Sequence, residues 1–388
     1  MDEEEAAPAT PVEAAAATPV ETPAEAEPRI IARPDHAISR KLISSGAVKV
    51  LYRLKKSGYK AYLCGGAVRD LMLGGRPKDF DVCTDAEPKD LRRLFRNARI
   101  IGRRFRLAHV IFHDGIVEVS TFRRTPDPEE QKGKPGDFLI TSDNAFGTPR
   151  EDAFRRDFTV NALFYNVADF SVIDYVGGTD DLERGLIRVI GEPDLRFRED
   201  PVRMLRACEF AGRLGFSIES RTQEAIQNNA GDLRRAAAPR LTEELMQLLK
   251  CGHAGAAMQW MLELGLLDVL LPEVGAMVAA AERGVGNFSG ILPTLDRMTA
   301  EGREVPDAVL LAAVLLPEVM MRRFEVERKT GEWMKIQAFL KVVRETLESF
   351  LERFSLANFK RAMVTHVLEG FHRLCRQGWT PAQRVRFA

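Results

Sequence analysis

The sequence has no apolar stretch of the length that a membrane span requires, about 18 uncharged residues or more. Its first 28 residues also lack lysine, arginine and any apolar segment, whereas a secretory signal contains basic residues followed by such a segment. We therefore expect a cytoplasmic protein with no membrane among its partners. With 45% hydrophobic and 29% charged residues, the 388-residue chain has the composition of ordinary globular domains.

Cysteine is scarce, and the five cysteines lie far apart in the sequence. None has a second cysteine at the short spacing that zinc sites and disulfide frameworks use. The sequence therefore predicts five reduced thiols, most of them buried as small apolar residues. They are Cys64, Cys83, Cys208, Cys251 and Cys375.

Basic residues are missing from residues 1–28, which contain eight acids, so the formal net charge of zero hides an asymmetry. The rest of the chain has 56 basic and 48 acidic residues, and residues 321–388 alone have 14 basic and seven acidic residues. A basic C-terminal region is compatible with a polyanionic partner. The basic excess by itself is explained equally well by lysines and arginines that are scattered over the surface.

Composition and periodicity divide the chain into four segments. Residues 1–36 are rich in Ala, Pro and Glu and predict a disordered acidic tail, because they cannot bury enough apolar surface to fold. Residues 37–182 alternate short strand-like runs with helical segments, which predicts an α/β domain on a mixed sheet. Apolar residues three and four apart then predict a helical neck over 183–250 and a helical C-terminal region over 251–388.

The elements of the α/β segment can be predicted individually. Apolar positions at helical spacing predict a helix over 47–54 that ends at Gly58. Residues 124–148 are polar and lack a period, which predicts a long mobile loop. The predicted strands are the runs 61–64, 80–83, 107–112, 116–122, 161–167 and 172–176.

The first motif that carries chemistry is LCGGAVRDLMLGGRPKDFDVCT, residues 63–84. A strand ends at Gly65 and Gly66 and a helix follows, an arrangement that turns backbone N–H groups toward an anion such as phosphate. Asp79 and Asp81 flank Phe80 in the next run. In a strand both carboxylates leave the same face, where they repel each other unless a cation lies between them.

Paired carboxylates on a rigid strand are ligands for a two-metal site that transfers phosphoryl groups, and hard oxygen ligands favour two Mg²⁺ ions. Glu118 offers a third carboxylate from another strand. An isolated Asp-x-Asp is more often a pair of solvated acids, but the preceding glycine turn favours a site. Glu118 is explained nearly as well as an ordinary acid on an exposed strand face as it is by a role as third carboxylate of the site. His109 and His113 lie about 13 Å apart along a strand and are poor joint ligands, so we expect His109 to pack or hydrogen-bond near the site.

Four motifs, in this order, resemble the nucleotidyltransferase family that contains bacterial poly(A) polymerases and class II CCA-adding tRNA nucleotidyltransferases. They occupy residues 63–82, 151–167, 172–191 and 198–216, and the second contains RRDFTVNA. The resemblance covers about residues 38–250. It implies an α/β nucleotidyltransferase head with flanking helices, followed by an all-α neck and C-terminal body.

The resemblance also implies roles for particular residues. Asp79, Asp81 and Glu118 would be catalytic, with the two aspartates holding magnesium. Asp157 would join an arginine in contacting triphosphate and ribose, and Asp200 would read the edge of the incoming base with an arginine of the same motif. The implied nucleotide-binding residues are Gly65, Gly66, Arg69, Arg156, Asp157, Asn161, Asp200, Arg203 and Arg206.

Simpler explanations exist for two of these groups when the residues are considered alone. For Arg155 and Arg156 alone, a solvated basic corner is the favoured explanation. Asp200 is a good N-cap before Pro201 at a first helical position, and the arginines three and six residues after Asp200 form an ordinary surface pair.

One segment favours polyadenylation of RNA 3′ ends from ATP over CCA addition. Residues 100–110, IIGRRFRLAHV, are predicted as a basic strand that resembles the poly(A) polymerase branch. Arg103, Arg104 and Arg106 would then contact RNA phosphates without reading sequence. The alternatives are a CCA-adding enzyme and a catalytically silent RNA-binding relative. The expected partners are RNA 3′ ends and ATP, with RNA-decay or RNA-chaperone proteins as candidates for the tail or C-terminal region.

Overall fold

The computed structural model describes residues 27–102, 106–125, 145–272, 274–275 and 290–376. A mixed β-sheet with flanking helices is followed by a helical part, which confirms the predicted fold class. Within these ranges no helix combines the length and the apolar character that crossing a bilayer requires. Most of the predicted tail, most of the predicted loop over 124–148, and Arg103 with Arg104 lie outside the described residues.

Eight strands form the main sheet, in the order β1-β8-β7-β2-β3-β6-β5-β4. Only its β3 and β6 run parallel to each other, and two further strands form a small parallel pair. The strands are β1 Arg29–Ile31, β2 Ala61–Cys64, β3 Asp81–Thr84, β4 Ala98–Ile101, β5 Leu107–Phe112, β6 Gly115–Thr121, β7 Leu163–Asn166, β8 Ser171–Asp174, β9 Leu186–Ile187 and β10 Ser217–Ile218.

The helices of the head are short, and those of the second half are longer. They are α1 Ser45–Lys56, α2 Gly66–Met72, α3 Pro88–Leu94, α4 Pro149–Arg155, α5 Gly178–Arg184, α6 Pro193–Glu199, α7 Arg203–Leu214, α8 Ser220–Asn229, α9 Ala238–Lys250, α10 Ala254–Glu263, α11 Leu266–Leu270, α12 Ile291–Ala300, α13 Asp307–Thr330, α14 Ile336–Leu351 and α15 Asn358–Arg376. Short 3₁₀ turns lie at Arg33–Asp35, Arg40–Leu42, Thr159–Asn161 and Ala230–Arg235.

The local predictions in the head are largely confirmed. Helix α1 contains the predicted residues 47–54; it begins after Ser44, whose hydroxyl accepts the N–H of Ala47. All six predicted strands are present as β2, β3, β5, β6, β7 and β8. Strands β5 and β6 bury alternate residues, as the period of two predicts, whereas β7 and β8 bury consecutive residues because both faces of the sheet are covered there.

Residues 100–110 do not form one strand, contrary to the prediction. Strand β4 ends at Ile101, and β5 begins at Leu107 and runs antiparallel to it, so that Ile101 pairs with Leu107. Gly102 has φ +80°, a backbone conformation that turns the chain and that glycine adopts without strain. The basic segment therefore spans a hairpin rather than a continuous strand.

The predicted tail is too long at its C-terminal end. Residues 29–31 form β1, which pairs antiparallel with β8 at the edge of the main sheet. Ile38 is fully buried in the head core. The alternation that marks a strand is hard to see in a run of three residues, so composition alone placed the start of the head too late.

Two of the five cysteines are not free, contrary to the prediction. Cys64 on β2 and Cys83 on β3 form a disulfide, with their Cα atoms 6.3 Å apart. They are 19 residues apart in the sequence, and only the antiparallel pairing of β2 with β3 brings them together. Cys208 and Cys375 are buried free thiols, as expected, and Cys251 is a half-buried free thiol.

The two faces of the main sheet are covered differently. One face packs against α1, α2 and α3 through residues such as Leu63, Val82 and Val119, all fully buried. On the other face, α4 covers the region of β2, β7 and β8, where its Ala153 packs with Phe164 of β7. Over β4, β5 and β6 this second face carries exposed side chains.

The helical part shares one hydrophobic core that runs from Phe158 to Leu368. Helix α7 packs closely on α10, where a side chain in place of Gly212 would meet the backbone of Ala257 at 2.6 Å. The boundaries predicted at residues 182 and 250 stay predictions, because this core continues across both.

Candidate active site

Two carboxylates lie side by side where the second face of the sheet becomes exposed. Asp81 is the first residue of β3, and its register partner on the parallel strand β6 is Glu118. Asp79 precedes the strand, while Phe80 and Val82 pack into the core on the opposite face, as the alternation predicts. Desolvation, followed by the charge of Glu118, raises the pKa of Asp81 to about 6, against the opposing charge of Arg156.

His109 extends this row of polar residues onto the next strand. It is the register partner of Glu118, and its Nε2 lies 3.1 Å from Glu118 Oε1. The prediction that His109 hydrogen-bonds near the site is therefore confirmed. His113 lies beyond the end of β5, in the turn before β6.

The carboxylates are chemically suited to a hard divalent cation, since they offer oxygen ligands and accumulate negative charge. Desolvation, and after it the charge of Glu118, raises the pKa of Asp81, and a bound cation would favour the charged carboxylate. In the part of the chain that the structure describes, however, no group of three His, Cys, Asp or Glu side chains is close enough to hold a metal. Asp81 and Glu118 supply the adjacent pair, and Asp79 lies two residues before it.

A glycine turn adjoins the carboxylates on their other side. Gly65 has φ +72° and ends β2 before α2. A Cβ on Gly65 would lie 3.2 Å from an Arg156 guanidinium nitrogen and 3.9 Å from Asp81 Oδ2. Only glycine therefore leaves room between the arginine and the carboxylate.

Arg156 is held in place by four groups. Its Nε and one terminal nitrogen donate to Asp152 Oδ2 at 3.1 and 3.0 Å, and the other terminal nitrogen donates to the Asn161 carbonyl at 3.2 Å. The sulfur of Cys83 lies 3.1 Å from the guanidinium, and Phe164 packs under it. The side chain is one-fifth exposed, so its charge reaches the site.

Arg156 belongs to a cluster of five arginines, of which sequence motifs indicated three. Burial and then the charges of the other four lower the pKa of Arg155 to about 9. Asp152 binds Arg156, and Glu199 binds Arg196 and Arg203. A cluster of guanidinium groups favours an anionic ligand. The members are Arg123, Arg155, Arg156, Arg196 and Arg203.

Sequence reasoning missed Arg123 and Arg196, because neither lies in a motif with a recognisable spacing. Arg196 of α6 donates to the carbonyls of Arg155 and Arg156 at 2.7 and 2.8 Å, so it fixes the backbone that carries them. The N–H of Arg123 donates to Asp152, the acid that also binds Arg156.

Four residues predicted to bind the nucleotide are joined to each other. Arg206 of α7 donates to Asp157 at 2.8 Å. Burial alone would raise the pKa of Asp157, but Arg206 outweighs it and lowers that pKa to about 2. Asn161 donates to Asp157 at 3.4 Å and accepts from Arg69 at 2.5 Å. Asn161 thus links Asp157 to the buried Arg69 of α2.

Asp200 and Arg203 are oriented by partners that the sequence did not reveal. Both terminal nitrogens of Arg240, on α9, donate to the carboxylate of Asp200 at 2.8 and 2.9 Å. Arg203 is buried and donates to the Arg196 carbonyl at 2.9 Å. The predicted N-cap is wrong, since α7 begins after Val202 and the Asp200 carboxylate makes no cap bond.

Comparison with protein families gives two matches. Residues 61–188 match the model described as "Poly A polymerase head domain". Residues 215–277 match the model described as "Probable RNA and SrmB- binding site of polymerase A". The first contains the carboxylates, the glycine turn and Arg156, and the second contains Arg240.

Curated relatives cover a larger part of the chain. Poly(A) polymerase I of Salmonella typhimurium is 46% identical over 78% of this chain and 66% of its own length. The chain therefore spans slightly under two thirds of that relative. Poly(A) polymerase I of Haemophilus influenzae is 33% identical over 87% of this chain and 76% of its own length. The CCA-adding enzyme of Geobacillus thermodenitrificans is 34% identical over 83% of this chain and 76% of its own length.

A solved structure has the same architecture. The Bacillus stearothermophilus CCA-adding enzyme in complex with CTP is 26% identical and covers 85% of this chain and 81% of its own, with a TM-score of 0.52. The similarity extends across the head and the helical part, which supports the predicted order of an α/β head before helices.

Proposed function

The chain belongs to the family of bacterial poly(A) polymerases and class II CCA-adding tRNA nucleotidyltransferases, and from this membership we propose that it is a template-independent poly(A) polymerase. The reaction joins the terminal 3′ oxygen of an RNA to the α-phosphorus of ATP. The bond from that phosphorus to the β-phosphate oxygen breaks, and pyrophosphate leaves. Each turn of the reaction adds one AMP to the RNA.

The observation that carries this proposal is the order of charges around Asp81. Arg156 and Gly65 lie on the β2 side of the carboxylate, and Glu118 lies on the β6 side. Bidentate guanidinium groups are suited to phosphate oxygens. ATP would bind with its triphosphate against Arg156 and the Gly65-Gly66 turn and its α-phosphorus near Asp81.

We further propose that Asp79, Asp81 and Glu118 hold divalent cations, and that these are two magnesium ions. When bound, such ions stabilise the charge that develops on the attacking and leaving oxygens. The carboxylates then act as fixed oxygen ligands on two paired strands. With its Nε2 protonated, His109 donates to the Glu118 carboxylate and so orients that side chain.

The base of ATP would be selected by Asp200 and Arg203 at the start of α7. Both are held from outside the motif, by Arg240 and by the Arg196 carbonyl. Fixed side chains present a fixed hydrogen-bonding pattern, which discriminates between bases without a template.

Adenylation is favoured over CCA addition because four poly(A) polymerases, from Salmonella and Escherichia coli, are 46–50% identical over 65–78% of this chain. The Haemophilus influenzae poly(A) polymerase, at 33%, is about as similar as the CCA-adding relatives at 34–36%. CCA addition remains the second candidate, since the structural neighbour with CTP has this activity by its name. A silent RNA-binding relative is disfavoured, because clustered carboxylates would only repel RNA.

The RNA substrate of the proposal is supported by the family match over 215–277. Protein partners in RNA decay or RNA chaperoning, and the cytoplasm as the compartment, remain the predictions made from the sequence.

The deciding experiment incubates the purified full chain with an unstructured RNA or with tRNA that lacks its 3′ end. Each RNA receives magnesium with ATP alone or with ATP and CTP. A homopolymeric A tail on the unstructured RNA in ATP alone is expected. Repair of the tRNA that stops at CCA, with no extension of other RNA, would instead identify a CCA-adding enzyme.

A further inference from the structure

The exposed half of the sheet beyond Glu118 has no role in the function proposed so far. We call it the open face. On one side of β4, β5 and β6 it presents residues that share the face of Asp81 and Glu118, according to the strand registers. These residues are Arg99, Ile101, Leu107, His109, Ile111 and Ile116.

The open face carries exposed isoleucines on both sides of a polar row, Arg99, His109 and Glu118. Ile116 is 53% exposed and Ile111 39% on one side of this row, and Ile101 is 36% exposed on the other side. Their neighbours Val110 and Val117 point to the other face and are buried. Since strand residues alternate between faces, these isoleucines occupy positions where polar residues usually face water. The adjacent pair Ile111 and Ile116 is therefore an apolar surface available to a ligand.

The direction of the reaction suggests the occupant. In a phosphoryl transfer the attacking and leaving oxygens lie roughly in line on opposite sides of the phosphorus. Arg156 and Gly65 place the triphosphate of the proposed function on the β2 side of Asp81. The attacking 3′ oxygen must then approach from the Glu118 side, which continues into the open face.

We propose that the open face binds the two 3′-terminal nucleosides of the RNA that is extended, a proposal that rests on the proposed function. Ile116 and Ile111 form a register pair one step along the strands from Glu118. Strand spacings place them roughly 8 and 12 Å from Asp81, within reach of the last two nucleotides when the 3′ oxygen is at the carboxylate.

The chemistry of the open face fits RNA without selecting its sequence. Aliphatic side chains contact the flat surface of any base, in the way that stacking platforms tolerate every sequence. Arg99 is exposed at the far side of the row, opposite His109, and is positioned for a backbone phosphate. Phosphate contacts position a strand but carry no sequence information.

The test compares two changes on equally exposed isoleucines of the same sheet. The variant I111T/I116T removes apolar contact from the open face and keeps β-branched residues that suit a strand. The control is I30T, because Ile30 is 55% exposed on β1, at the opposite edge of the sheet from β4. Unfolding temperatures of both variants are measured first to show that they fold.

For I111T/I116T, we expect the KM for an unstructured RNA to rise about tenfold while the KM for ATP stays within about twofold. I30T should leave both constants at the parent's values. An unchanged KM for RNA in I111T/I116T, or an equal rise in I30T, overturns the proposal.

Photocrosslinking gives a second readout that does not depend on catalysis. An RNA with 4-thiouridine as its last nucleotide is irradiated with the full chain in the absence of nucleotide and metal, and crosslinked peptides are identified by mass spectrometry. We expect crosslinks within residues 107–121, reduced in I111T/I116T and kept in I30T. Crosslinks confined to other regions overturn the proposal. If these crosslinks form but AMP is never transferred, the proposed function fails while the binding surface stands.

Discussion

At the scale of single residues, the electrostatics of the site depend on Asp81. Its carboxylate faces Glu118 and lies near Arg156, and its raised pKa shows that desolvation and the acids outweigh the arginine. The folded protein without metal therefore gains little from this charge. The same charge becomes favourable once a cation or a reacting phosphate is present.

Asp81→Ala should lower AMP transfer by about a hundredfold or more, because a ligand that stabilises developing charge acts mainly in the reaction complex. The unfolding temperature of the variant, measured in EDTA, should equal or exceed the parent's, since a repelled carboxylate is removed. Asp79→Ala should also lose activity. The control is Glu224→Ala, an exposed acid on α8. Activity of Asp81→Ala near the parent's level would contradict the assignment of the site.

The cysteines allow a direct chemical test. Alkylation of the denatured protein without a reductant should modify three thiols, those of Cys208, Cys251 and Cys375. After reduction all five should react, and intact-mass measurement counts the adducts. Five adducts without reductant would show that Cys64 and Cys83 are thiols, as is usual in a reducing cytoplasm.

At the scale of elements, two short features position the site from opposite sides. The turn from β2 to α2 brings backbone close to Arg156 because Gly65 has no side chain. Helix α9 reaches the nucleotide motifs from the neck. Its Arg240 holds Asp200. Its Glu244, one turn later, lies 3.6 Å from Arg206. The turn lies against Arg156 and α9 holds Asp200, the side chains that the proposed function assigns to the triphosphate and to the base.

Gly65→Ala should raise the KM for ATP about tenfold or more, because the new methyl group would crowd Arg156 at 3.2 Å. Gly74→Ala is the matched control. Gly74 has a similar positive φ of +76°, but nothing lies within 4 Å of its Cβ position. Both variants carry backbone strain of about 1–3 kcal/mol, so steady-state kinetics isolates the crowding at Gly65. Equal effects of the two substitutions would mean that strain alone is responsible.

Arg240→Ala should lower the preference for ATP over CTP about tenfold, because Asp200 loses the two bonds that orient it. The pair is partly exposed, so the change in unfolding temperature should be small. Arg240→Lys restores charge but only one of the bonds and should be intermediate. Competition between the two nucleotides on one RNA measures the ratio. An unchanged ratio would show that Asp200 does not read the base.

At the scale of the whole molecule, the positive charge of residues 321–376 is less available to RNA than the composition suggests. Several arginines and lysines of residues 321–376 pair with acids of their own helices, among them Arg322 with Glu318 and Arg373 with Glu369. Arg323 is buried against Trp333 and pairs with Glu327. The basic excess of this region therefore serves helix stability as well as any RNA.

RNA affinity should nevertheless fall at least about tenfold between 50 and 200 mM salt, as expected if roughly three phosphates of a single strand are neutralised. Fluorescence anisotropy with a labelled unstructured RNA gives the slope of log Kd against log salt. Two RNAs of different sequence and equal length should give the same slope. A flat salt dependence would exclude binding through phosphates.

The sequence alone determined the order and kind of elements and the residues of the motifs. Helix α1, the six apolar strands and the helical second half follow from periodicity, because burial of one face imposes a period of 3.6 or 2 on neighbouring residues. The alternation around Asp81 also predicted that Phe80 and Val82 would face the core. These patterns are local, so no other part of the chain was needed to read them.

The tertiary structure decided which distant residues meet. Strand pairing placed Glu118 beside Asp81 and joined Cys64 to Cys83, and helix packing brought Arg240 to Asp200. It also divided residues 100–110 into a hairpin and ended the tail at β1. Such contacts join positions far apart in the chain, and a single arginine or cysteine has no periodic neighbours that would reveal its partner.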